Sequence, residues 1–341
     1  MKKSLLAVAV LGAFAGAASA QSSVTLFGVV DLSVNSFENR NTRIRSMDSN
    51  QLNSNRLGFR GTEDLGGGLL AGFWLEGGMA SDTGNPGGLT FTRRSTVSLT
   101  SKMGEIRLGR DYTNTFLNVA SNDAYGANGV GSPWNIYLGS VAGLGSGATT
   151  AVRANNMVGY FLPSGLGGIY GSAQVAAGEG VTGNKYYGGR LGYAAGPFDI
   201  SGAYSETFAI GNIKYKVANI GGSFDFGMAK LYAFYDKRGY NGLTYATYSV
   251  NASVPLGQGE FRAGYTRGDA KGTGIGANDA SLVGVEYIYN LSKRTALYTQ
   301  YGRLANKGKS ALSVGGVVSA ADALAGGFNS TGYGVGVRHS F

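Results

Sequence analysis

The sequence predicts an all-β protein in which sixteen antiparallel strands close into a transmembrane barrel. Three observations lead to this fold: apolar side chains recur at every second position, short and long connections alternate, and glycine is abundant while charge is scarce. The chain holds 59 glycines and 14% charged residues, whereas average usage is about 7% glycine and about 25% charged residues. Beyond the N-terminal leader, no apolar run approaches the roughly 20 residues of a membrane-spanning helix. Strands rather than helices are therefore expected to cross the membrane.

The two-residue period is clearest in the last ten residues, GYGVGVRHSF. Glycine, arginine and serine share one face of this strand, and the other face carries Tyr333, Val335, Val337, His339 and Phe341. The same division recurs in four further stretches: 187–193, 198–204, 245–254 and 282–291. An apolar face opposite a small or polar face is what a wall needs when one side touches lipid and the other touches water.

Connections distinguish a membrane barrel from a soluble β-sandwich, whose strands also alternate. Seven short turns are predicted at 65–67, 101–104, 163–167, 195–197, 225–227, 256–259 and 292–293. Eight longer connections are predicted at 35–52, 77–89, 113–152, 178–185, 208–212, 239–242, 269–278 and 305–329. This alternation joins sixteen strands and puts all the short turns and both chain ends on one side, as in outer-membrane barrels.

Closure of such a barrel is obligatory, because an unpaired backbone N–H or C=O group in hydrocarbon costs several kcal/mol. The last strand is therefore expected to pair with the first, which reads SVTLFGVVDLSV from residue 23. Tyr333 and Phe341 would lie at opposite ends of the last strand on the lipid-facing side. Aromatic girdles are found at these two levels of a membrane barrel.

The first twenty residues have the features of a cleaved signal peptide. They combine a basic start (KK), a short apolar stretch and the cleavage sequence ASA. The predicted domains are thus a signal peptide, 1–20, and a single β-barrel, 21–341. The chain has no cysteine, which excludes disulfides and thiolate metal sites.

Enzymatic activity is not expected from this sequence. The single histidine, His339, lies two residues from the C terminus on the lipid-facing side, where it cannot serve a catalytic arrangement at the outer rim. One histidine without cysteine also argues against a resident metal, and no cofactor is expected. The net charge is +9, but basic residues do not form a stripe with interleaved aromatics, so nucleic acid is not an expected partner.

Three functions remain open for a barrel of this kind: a diffusion channel, a substrate-specific channel, and an adhesin or surface-recognition barrel. A recognition barrel would have a plugged lumen with bulky apolar inward residues, or very long outer loops. The inward faces are instead rich in Gly, Ser, Thr and Arg, which favours an open, water-filled lumen. Arg190, Arg262 and Arg338 occupy inward positions and are expected to line the pore wall.

Four segments form a recognisable set: SVTLFGVVD (23–31), NRLGFRGTEDLGGGL (55–69), IRLGRDYT (106–113) and GVRHSF (336–341). Together they resemble the Gram-negative general porins of the β-proteobacterial branch. The resemblance implies an outer-membrane homotrimer of sixteen-stranded barrels, each a diffusion pore for small hydrophilic solutes and inorganic ions. It implies that the third outer loop, about 113–152, folds inward as the constriction. It also implies contact with outer-membrane lipid, lipopolysaccharide and the barrel-assembly machinery, which would read Phe341 as a C-terminal signal.

In this family, arginines and acidic loop residues face each other across the narrowest point of the pore. Matching of motifs assigns to the constriction Arg56, Arg60, one of Arg93 and Arg94, Arg110 and Arg153. Asp123, the only acidic residue between 113 and 152, is expected to face them from the loop. Rings of arginine favour anions, so the channel is expected to prefer anions. In the alternative interpretation, the arginines are solvated wall residues paired with Glu63, Asp64 or Asp111, and selectivity is weak.

For two of these assignments, the family pattern and the alternation of the strand disagree about which side chain points into the lumen. The family pattern aligns Arg93, whereas the apolar residues of the same strand direct Arg94 into the lumen, and Arg94 is favoured for the pore wall. Strict alternation would point Arg110 outward, so a bulge or the strand end must intervene if Arg110 lines the pore.

The first strand offers limited support for a trimer. Its outward side chains are small to medium in size and include no aromatic ring, which suits protein contact better than a lipid girdle. These residues are Leu26, Gly28, Val30 and Leu32.

Overall fold

The computed structural model describes residues 23–84, 90–315 and 320–341, and the predicted signal peptide lies outside them. This part of the chain contains seventeen strands: β1 (Ser23–Glu38), β2 (Arg43–Ser49), β3 (Arg56–Gly66), β4 (Leu69–Gly78), β5 (Arg94–Ser101), β6 (Gly104–Tyr112), β7 (Arg153–Phe161), β8 (Ile169–Ala176), β9 (Tyr186–Ala195), β10 (Phe198–Phe208), β11 (Lys214–Asp225), β12 (Lys230–Tyr240), β13 (Leu243–Leu256), β14 (Gly259–Lys271), β15 (Ala280–Asn290), β16 (Thr295–Asn306) and β17 (Asn329–Ser340). It also contains three α-helices: α1 (Asn114–Ser121), α2 (Trp134–Gly143) and α3 (Ala320–Ala325).

The strands form one closed antiparallel barrel. Neighbours in sequence pair with each other except β2 and β3, which both pair with β1, and β17 pairs with β1 to close the sheet. β2 and β3 share one place in the wall, because β2 pairs with Leu32–Glu38 and β3 pairs with Ser23–Val29 on the same flank of β1. The seventeen strands therefore fill sixteen places, and the predicted sixteen-stranded barrel is confirmed. Within the described ranges, no helix is both long enough and apolar enough to cross a membrane.

Side chains alternate between the outer wall and the lumen, as the two-residue period predicts. On β17, Tyr333 and Val335 are exposed on the outer wall, whereas Gly332 and Gly334 are buried. On β13, Val250 is 58% exposed and its neighbour Ser249 is 2% exposed. Exposed apolar side chains all around a closed wall are stable where lipid tails replace water as the solvent.

The connections follow the predicted alternation, with two differences in detail. Much of the predicted loop 35–52 is strand, because β1 and β2 continue as a paired hairpin, and its polar composition concealed that pairing. The predicted connection 239–242 is a tight hairpin in which Asn241 and Gly242 have φ of 49° and 78°. Asn-Gly favours such a two-residue turn because both positions need positive φ.

Residues 113–152, termed the constriction loop, fold into the lumen. α1 lies against β8–β11, and α2 lies against β13–β15. The Asn118 side-chain amide donates to Asn219 Oδ1 at 2.9 Å and fixes α1 to β11. The Tyr125 hydroxyl donates to the Gly284 carbonyl oxygen at 2.7 Å and fixes the middle of the loop to β15. The inward fold implied by the resemblance is therefore present.

The C-terminal residue seals the seam between the first and last strands. Gly28 N–H donates to the Phe341 carbonyl at 3.0 Å, and Phe341 N–H donates to the Gly28 carbonyl at 3.0 Å. A Cβ on Gly28 would overlap the Phe341 ring, so the ring occupies the space that glycine leaves free. Gly28 therefore has a packing role within the outward row of β1.

We expect Gly28→Leu to destabilise the closed barrel, because the new side chain must displace the Phe341 ring or distort the seam. Overpacking of this kind costs about 1–3 kcal/mol. Urea unfolding followed by tryptophan fluorescence measures the loss, and the mobility of unboiled samples on detergent gels reports closure. Val30→Leu, on the same outward row, is the matched control and should remain close to wild type. Equal losses in the two variants would contradict the role of the seam.

Candidate pore constriction

Three arginines meet on the lumen side of β3–β7, around Glu76 and Tyr112. Arg93 Nε lies 2.6 Å from Glu76 Oε1, and Arg56 Nη1 lies 3.5 Å from the same oxygen. Arg93 and Arg153 both donate to the Tyr112 hydroxyl, at 2.9 Å and 2.8 Å. Arg56, Arg93 and Arg153 are termed the arginine cluster.

The antiparallel wall explains why residues so far apart in sequence meet. Alternate strands of an antiparallel sheet begin at the same rim. Arg56 and Arg153 are the first residues of β3 and β7, and Arg93 directly precedes β5. Glu76 and Tyr112 lie at the ends of the intervening strands β4 and β6. The cluster therefore lies at one level of the lumen, near the rim that carries the long connections.

The cluster has more positive than negative charge. Arg56 and Arg93 share the single carboxylate of Glu76, and Arg153 adds a third guanidinium beside Tyr112. The three arginines and Glu76 therefore carry a net charge of +2. The Arg56 side chain is 25% exposed and that of Glu76 is 7% exposed. The carboxylate is thus enclosed among the arginines, while the guanidinium groups keep access to the lumen.

A continuous series of aromatic rings joins the cluster to the constriction loop. The guanidinium carbon of Arg153 lies 4.3 Å from the ring centre of Tyr112. Tyr112 stacks on Phe116 of α1 at 4.9 Å, and Phe116 contacts Trp134 edge-to-face at 5.2 Å. Trp134 stacks on Tyr137 of α2 at 4.9 Å. Because aromatic and cation–π contacts are directional, this series fixes the position of both loop helices relative to the arginines.

Arg93 and Arg94 contact different groups. The pairing of Arg94 with Glu76 across β4 and β5 puts Arg94 on the lumen face. Its guanidinium carbon lies 4.5 Å from the Trp74 ring centre, and its Nε lies 3.6 Å from Asp111. Arg93, the residue that the family pattern aligns, joins the arginine cluster. Because Arg93 precedes the strand, the alternation of β5 does not determine where its side chain points.

Arg60 lies on β3 four residues after Arg56, farther than Arg56 from the rim with the long connections, and it is exposed to the lumen. Its guanidinium carbon lies 5.4 Å from the Phe27 ring centre and 5.1 Å from the Trp74 ring centre. Arg60 and Arg94 therefore share Trp74 as a contact, and they form a second group of arginines below the cluster.

The structure does not bring Arg110 into the arginine cluster. Arg110 pairs with Ser95, on the same face of the wall as Val97, which is 54% exposed on the outside. Its guanidinium donates to the Thr92 carbonyl at 2.6 Å and to the Asn155 side chain. The β6–β7 register is irregular at this point, but the Arg110 side chain follows the outward direction that strict alternation indicates.

Asp123 is turned into the constriction loop rather than toward the arginines. Its carboxylate accepts hydrogen bonds from the backbone N–H groups of Tyr125 at 2.9 Å and Ala127 at 2.8 Å, and from the Ser132 hydroxyl at 2.9 Å. The side chain is buried, and burial raises the pKa of its carboxyl above the usual range. Aspartate commonly binds backbone N–H groups two residues ahead in turns, and here that local role replaces the one expected across the pore.

Two of the predicted wall arginines are paired with side chains of the lumen. Arg190 Nε donates to Asn118 Oδ1 at 2.9 Å and so braces α1. Arg262 lies between two carboxylates, with Nε 2.6 Å from Glu260 and Nη1 3.1 Å from Glu286. The first arginine therefore supports the loop, and the second is neutralised locally.

A second inward segment, residues 50–55, interrupts the wall between β2 and β3 and is termed the lumen insert. The Asp31 carboxylate accepts from two consecutive backbone N–H groups of the insert, beginning with Leu52, each at 2.6 Å. It also accepts from the Tyr298 hydroxyl at 2.5 Å. Arg338 lies opposite Asp31 in the β1–β17 register. The sequence did not predict this insert, whose polar run NQLNSN begins in the predicted connection 35–52 and extends three residues beyond it.

The lumen insert and the constriction loop face each other. The Ser54 hydroxyl donates to Asn128 Oδ1 at 2.8 Å and joins the two segments. Beside this contact lies a cavity of about 660 Å³, lined among others by Asn50, Asn55, Arg93, Asn128 and Trp134. Arg93 therefore connects the arginine cluster to a polar vestibule large enough for a small hydrated solute.

A buried ion pair holds α2 against the wall. Arg238 and Asp236 are 0% exposed, and Arg238 Nη2 lies 2.6 Å from Asp236 Oδ2. Arg238 Nη1 donates to the Tyr137 carbonyl at 2.5 Å, and its guanidinium carbon lies 3.4 Å from the Tyr137 ring centre. The sequence signal was the pair of opposite charges two residues apart, which places both on the lumen face of β12.

A closed membrane barrel whose lumen is narrowed by an inward loop and lined by arginine defines a β-barrel channel. The family model described as Gram-negative porin matches residues 7–309, and the chain belongs to this family. It is accordingly a porin of the Gram-negative outer membrane.

Two curated relatives align with the whole chain. Outer membrane porin protein 32 of Delftia acidovorans is 40% identical over 359 aligned positions, which cover 100% of both proteins. An outer membrane porin of Bordetella pertussis is 31% identical over 415 aligned positions, which also cover 100% of both.

Solved structures share the fold. The anion-selective porin from Comamonas acidovorans is 35% identical with a TM-score of 0.84, and the match covers 94% of this chain and 100% of that one. Salmonella typhi OmpF is 15% identical with a TM-score of 0.67, over 93% of this chain and 97% of its own. Vibrio cholerae OmpT, in a trimer form, is 15% identical with a TM-score of 0.66, over 94% and 99%. At 15% identity, the last two support the fold alone.

We expect Asp236→Asn to loosen α2, because the charge of Arg238 then remains buried without its carboxylate. Removing one partner of a buried ion pair costs about 3–5 kcal/mol. Thermal unfolding measures the loss of stability, and single-channel recording detects a loosened loop as increased open-channel current noise. The double variant Asp236→Leu, Arg238→Met removes both charges and should recover most of the stability. Wild-type stability and noise in Asp236→Asn would refute the anchoring role.

Proposed function

We propose that this porin is an anion-preferring, water-filled diffusion channel for small hydrophilic solutes and inorganic ions. The observation that carries the proposal is the arginine cluster, in which Arg56 and Arg93 share the single carboxylate of Glu76 and Arg153 adds a third positive charge beside Tyr112. Positive rings in a pore favour anions. The vestibule lined by Arg93 gives solutes access to the cluster from the side of the long connections.

The magnitude of the electrostatic effect is sufficient for selectivity. Two unit charges about 4 Å apart interact by about 1 kcal/mol in bulk water, and by about 4 kcal/mol at an effective dielectric constant near 20. Both values exceed thermal energy, which is about 0.6 kcal/mol. An anion beside a net charge of +2 is therefore stabilised at the constriction, and a cation is repelled by a similar amount.

The orientation of Asp123 strengthens this proposal. A carboxylate facing the cluster from the constriction loop would offset its positive charge and create a transverse field. Asp123 is instead buried in its own turn, so the loop side supplies no carboxylate from residues 113–152. The similarity to a porin described as anion-selective, at 35% identity and a TM-score of 0.84, supports the same preference.

Passive diffusion explains the polar lumen without a chemical step. Neither a cofactor nor a catalytic residue is required, and we infer that the protein is not an enzyme. An adhesin role is less favoured, because the vestibule of about 660 Å³ opens onto polar and charged side chains rather than an apolar plug. A substrate-specific channel would differ only in the details of this lining.

We also propose a homotrimer in which the outward row of β1 lies at the subunit contact. Leu26 is 54% exposed in the isolated chain, and this row lacks the aromatic rings of a lipid girdle. The proposed partners in the membrane are outer-membrane lipid, lipopolysaccharide and the barrel-assembly machinery, with Phe341 as the C-terminal signal.

The double variant Arg56→Gln, Arg153→Gln should lower the anion-to-cation permeability ratio by about fivefold or more. Loss of two positive charges from the constriction removes roughly 1–2 kcal/mol of discrimination. The reversal potential across a planar bilayer under a KCl gradient measures this ratio.

Arg294→Gln, Arg303→Gln is the matched control for this experiment, since both arginines are exposed outside the lumen. This control removes the same charge and should leave the reversal potential unchanged. Cation preference of the wild type, or an equal effect of the control, would overturn the assignment of selectivity to the cluster. The preference should also weaken at 1 M salt, where screening acts over about 3 Å.

Leu26→Arg should dissociate the trimer, because a charge at a packed subunit contact is buried without a partner. Native mass spectrometry of the detergent-solubilised protein measures the assembly, with an expected mass of three chains for the wild type. Leu191→Arg is the control, because Leu191 is 62% exposed on the opposite side of the barrel. A trimer that survives Leu26→Arg but not Leu191→Arg would move the contact to the other wall.

A further inference from the structure

The vestibule beside Arg93 is lined by three separate segments of the chain. The lumen insert supplies Gln51 and Asn55, the segment after β4 supplies Asp82, and the constriction loop supplies Trp134. Its volume of about 660 Å³ is the space that about 20 water molecules occupy in the liquid. A small inorganic anion does not need this much room, so the vestibule is large enough to hold an organic solute.

Amide side chains dominate the polar lining, and several are held in place at one end. Gln51 Oε1 accepts from the Gln300 amide at 3.0 Å, and the Asn135 amide donates to the Gly129 carbonyl at 2.9 Å. Hydroxyl groups both donate and accept hydrogen bonds, so they can pair with either end of an amide. The lining therefore suits a solute with several hydroxyl groups. Its amide residues are Asn50, Gln51, Asn55, Asn128 and Asn135.

Asn55 contributes a donor that the protein leaves unpaired. Its side chain is 1% exposed, and its Oδ1 accepts from the Asp31 backbone N–H at 2.7 Å, which fixes the orientation of the amide. The other end, Nδ2, is buried and has no hydrogen-bond partner among the described residues. Buried donors without a partner are rare in folded proteins. At the wall of a cavity, such a donor indicates where a bound solute can supply an acceptor.

Two carboxylates of the lining distinguish a hydroxylated solute from a simple anion. Asp48 and Asp82 both line the vestibule. Asp48 Oδ2 accepts from the Asn35 amide at 2.7 Å, and Asp82 Oδ1 accepts from the Ser49 hydroxyl at 2.6 Å. These carboxylates repel an inorganic anion but accept hydrogen bonds from the hydroxyl groups of a solute. Net charge alone therefore does not account for the composition of this cavity.

Arg93 and Trp134 add a positive charge and an apolar surface to the same cavity. The Arg93 guanidinium is oriented by Glu76 and Tyr112. The Trp134 ring is held by stacking on Tyr137 at 4.9 Å. A fixed aromatic ring beside polar groups can pack against the C–H face of a sugar ring. The vestibule thus combines contacts for a carboxylate, for hydroxyl groups and for an apolar ring face.

We propose that the vestibule binds a monosaccharide that carries a carboxylate, such as a uronic acid. The carboxylate contacts Arg93, the sugar ring packs against Trp134, and the hydroxyl groups bind the amides and Asp82. The inference rests on the proposed anion channel and names a class of solute that the vestibule retains beside the constriction. The arginine cluster then separates anions from cations, and the vestibule discriminates among anions.

The test measures how solutes block KCl current through the wild-type protein in a planar bilayer. D-glucuronate is the probe, D-glucose has the same ring without the charge, and acetate has the charge without the ring. The half-blocking concentration of D-glucuronate should be at least about tenfold lower than that of either comparison solute. L-glutamate tests whether any larger organic anion suffices. Equal or stronger block by D-glucose, acetate or L-glutamate would overturn the proposal.

Variants of the lining locate the site. Gln51→Met removes an amide at nearly constant size, and Asn55→Asp replaces the unpaired donor with an acceptor. Trp134→Leu removes the ring, whereas Trp134→Phe keeps an aromatic surface. The first three variants should raise the half-blocking concentration of D-glucuronate at least about threefold, and Trp134→Phe should remain closer to wild type. Gln51→Met does not alter the Asp31–Asn55 contact, so the test stands even if Asn55→Asp folds poorly.

The matched control is Gln258→Met, an exposed position in a short turn at the other rim. This control should be blocked by D-glucuronate like the wild type. Equal loss in the control, or unchanged block in both Gln51→Met and Trp134→Leu, would overturn the site. The reversal potential under a KCl gradient keeps this test separate from the proposed function. Anion preference without preference for D-glucuronate would refute this inference alone, whereas cation preference would refute the anion channel on which it rests.

Discussion

Every backbone N–H and C=O group of the wall needs a partner, because the surrounding hydrocarbon offers none. This constraint requires the sheet to close, and closure sets the positions of nearly everything else in the molecule. It brings β17 against β1, puts the terminal residue at the seam, and fixes alternate side chains inside and outside. The rigid wall then presents strand ends at fixed positions around the lumen, and the arginine cluster is assembled from these ends.

In the proposed channel, selectivity depends on how the inward segments are attached to that wall. The constriction loop is held by directional contacts: amide hydrogen bonds at α1, a buried ion pair at α2, and a row of aromatic rings that ends at Arg153. These contacts leave the guanidinium groups on one side of the lumen without a carboxylate facing them from the loop. The net positive charge proposed to select anions is therefore maintained by the packing of the loop as well as by the arginines themselves.

The sequence predicted the wall better than it predicted the lumen. Strand number, facing and turn positions follow from a period of two and from the placement of glycine, both of which are local properties. The prediction that the constriction loop folds inward came from the family resemblance and not from the period of two. The partner of Arg93, the turn closed by Asp123 and the insert held by Asp31 depend on contacts between distant segments. Alternation also gives no direction for a residue outside a strand, which is where Arg93 lies.

Because of the lumen insert, the width of the aperture can change independently of the number and pairing of the wall strands. β1 is paired with β2 above the insert and with β3 below it, so the residues between them can be lengthened or shortened without changing the strand count. The Asp31 carboxylate binds backbone N–H groups of the insert, so this attachment does not depend on which side chains stand at positions 52 and 53. The size of the solutes that pass such a pore can thus change through a few residues of the insert, while the β-barrel wall stays the same.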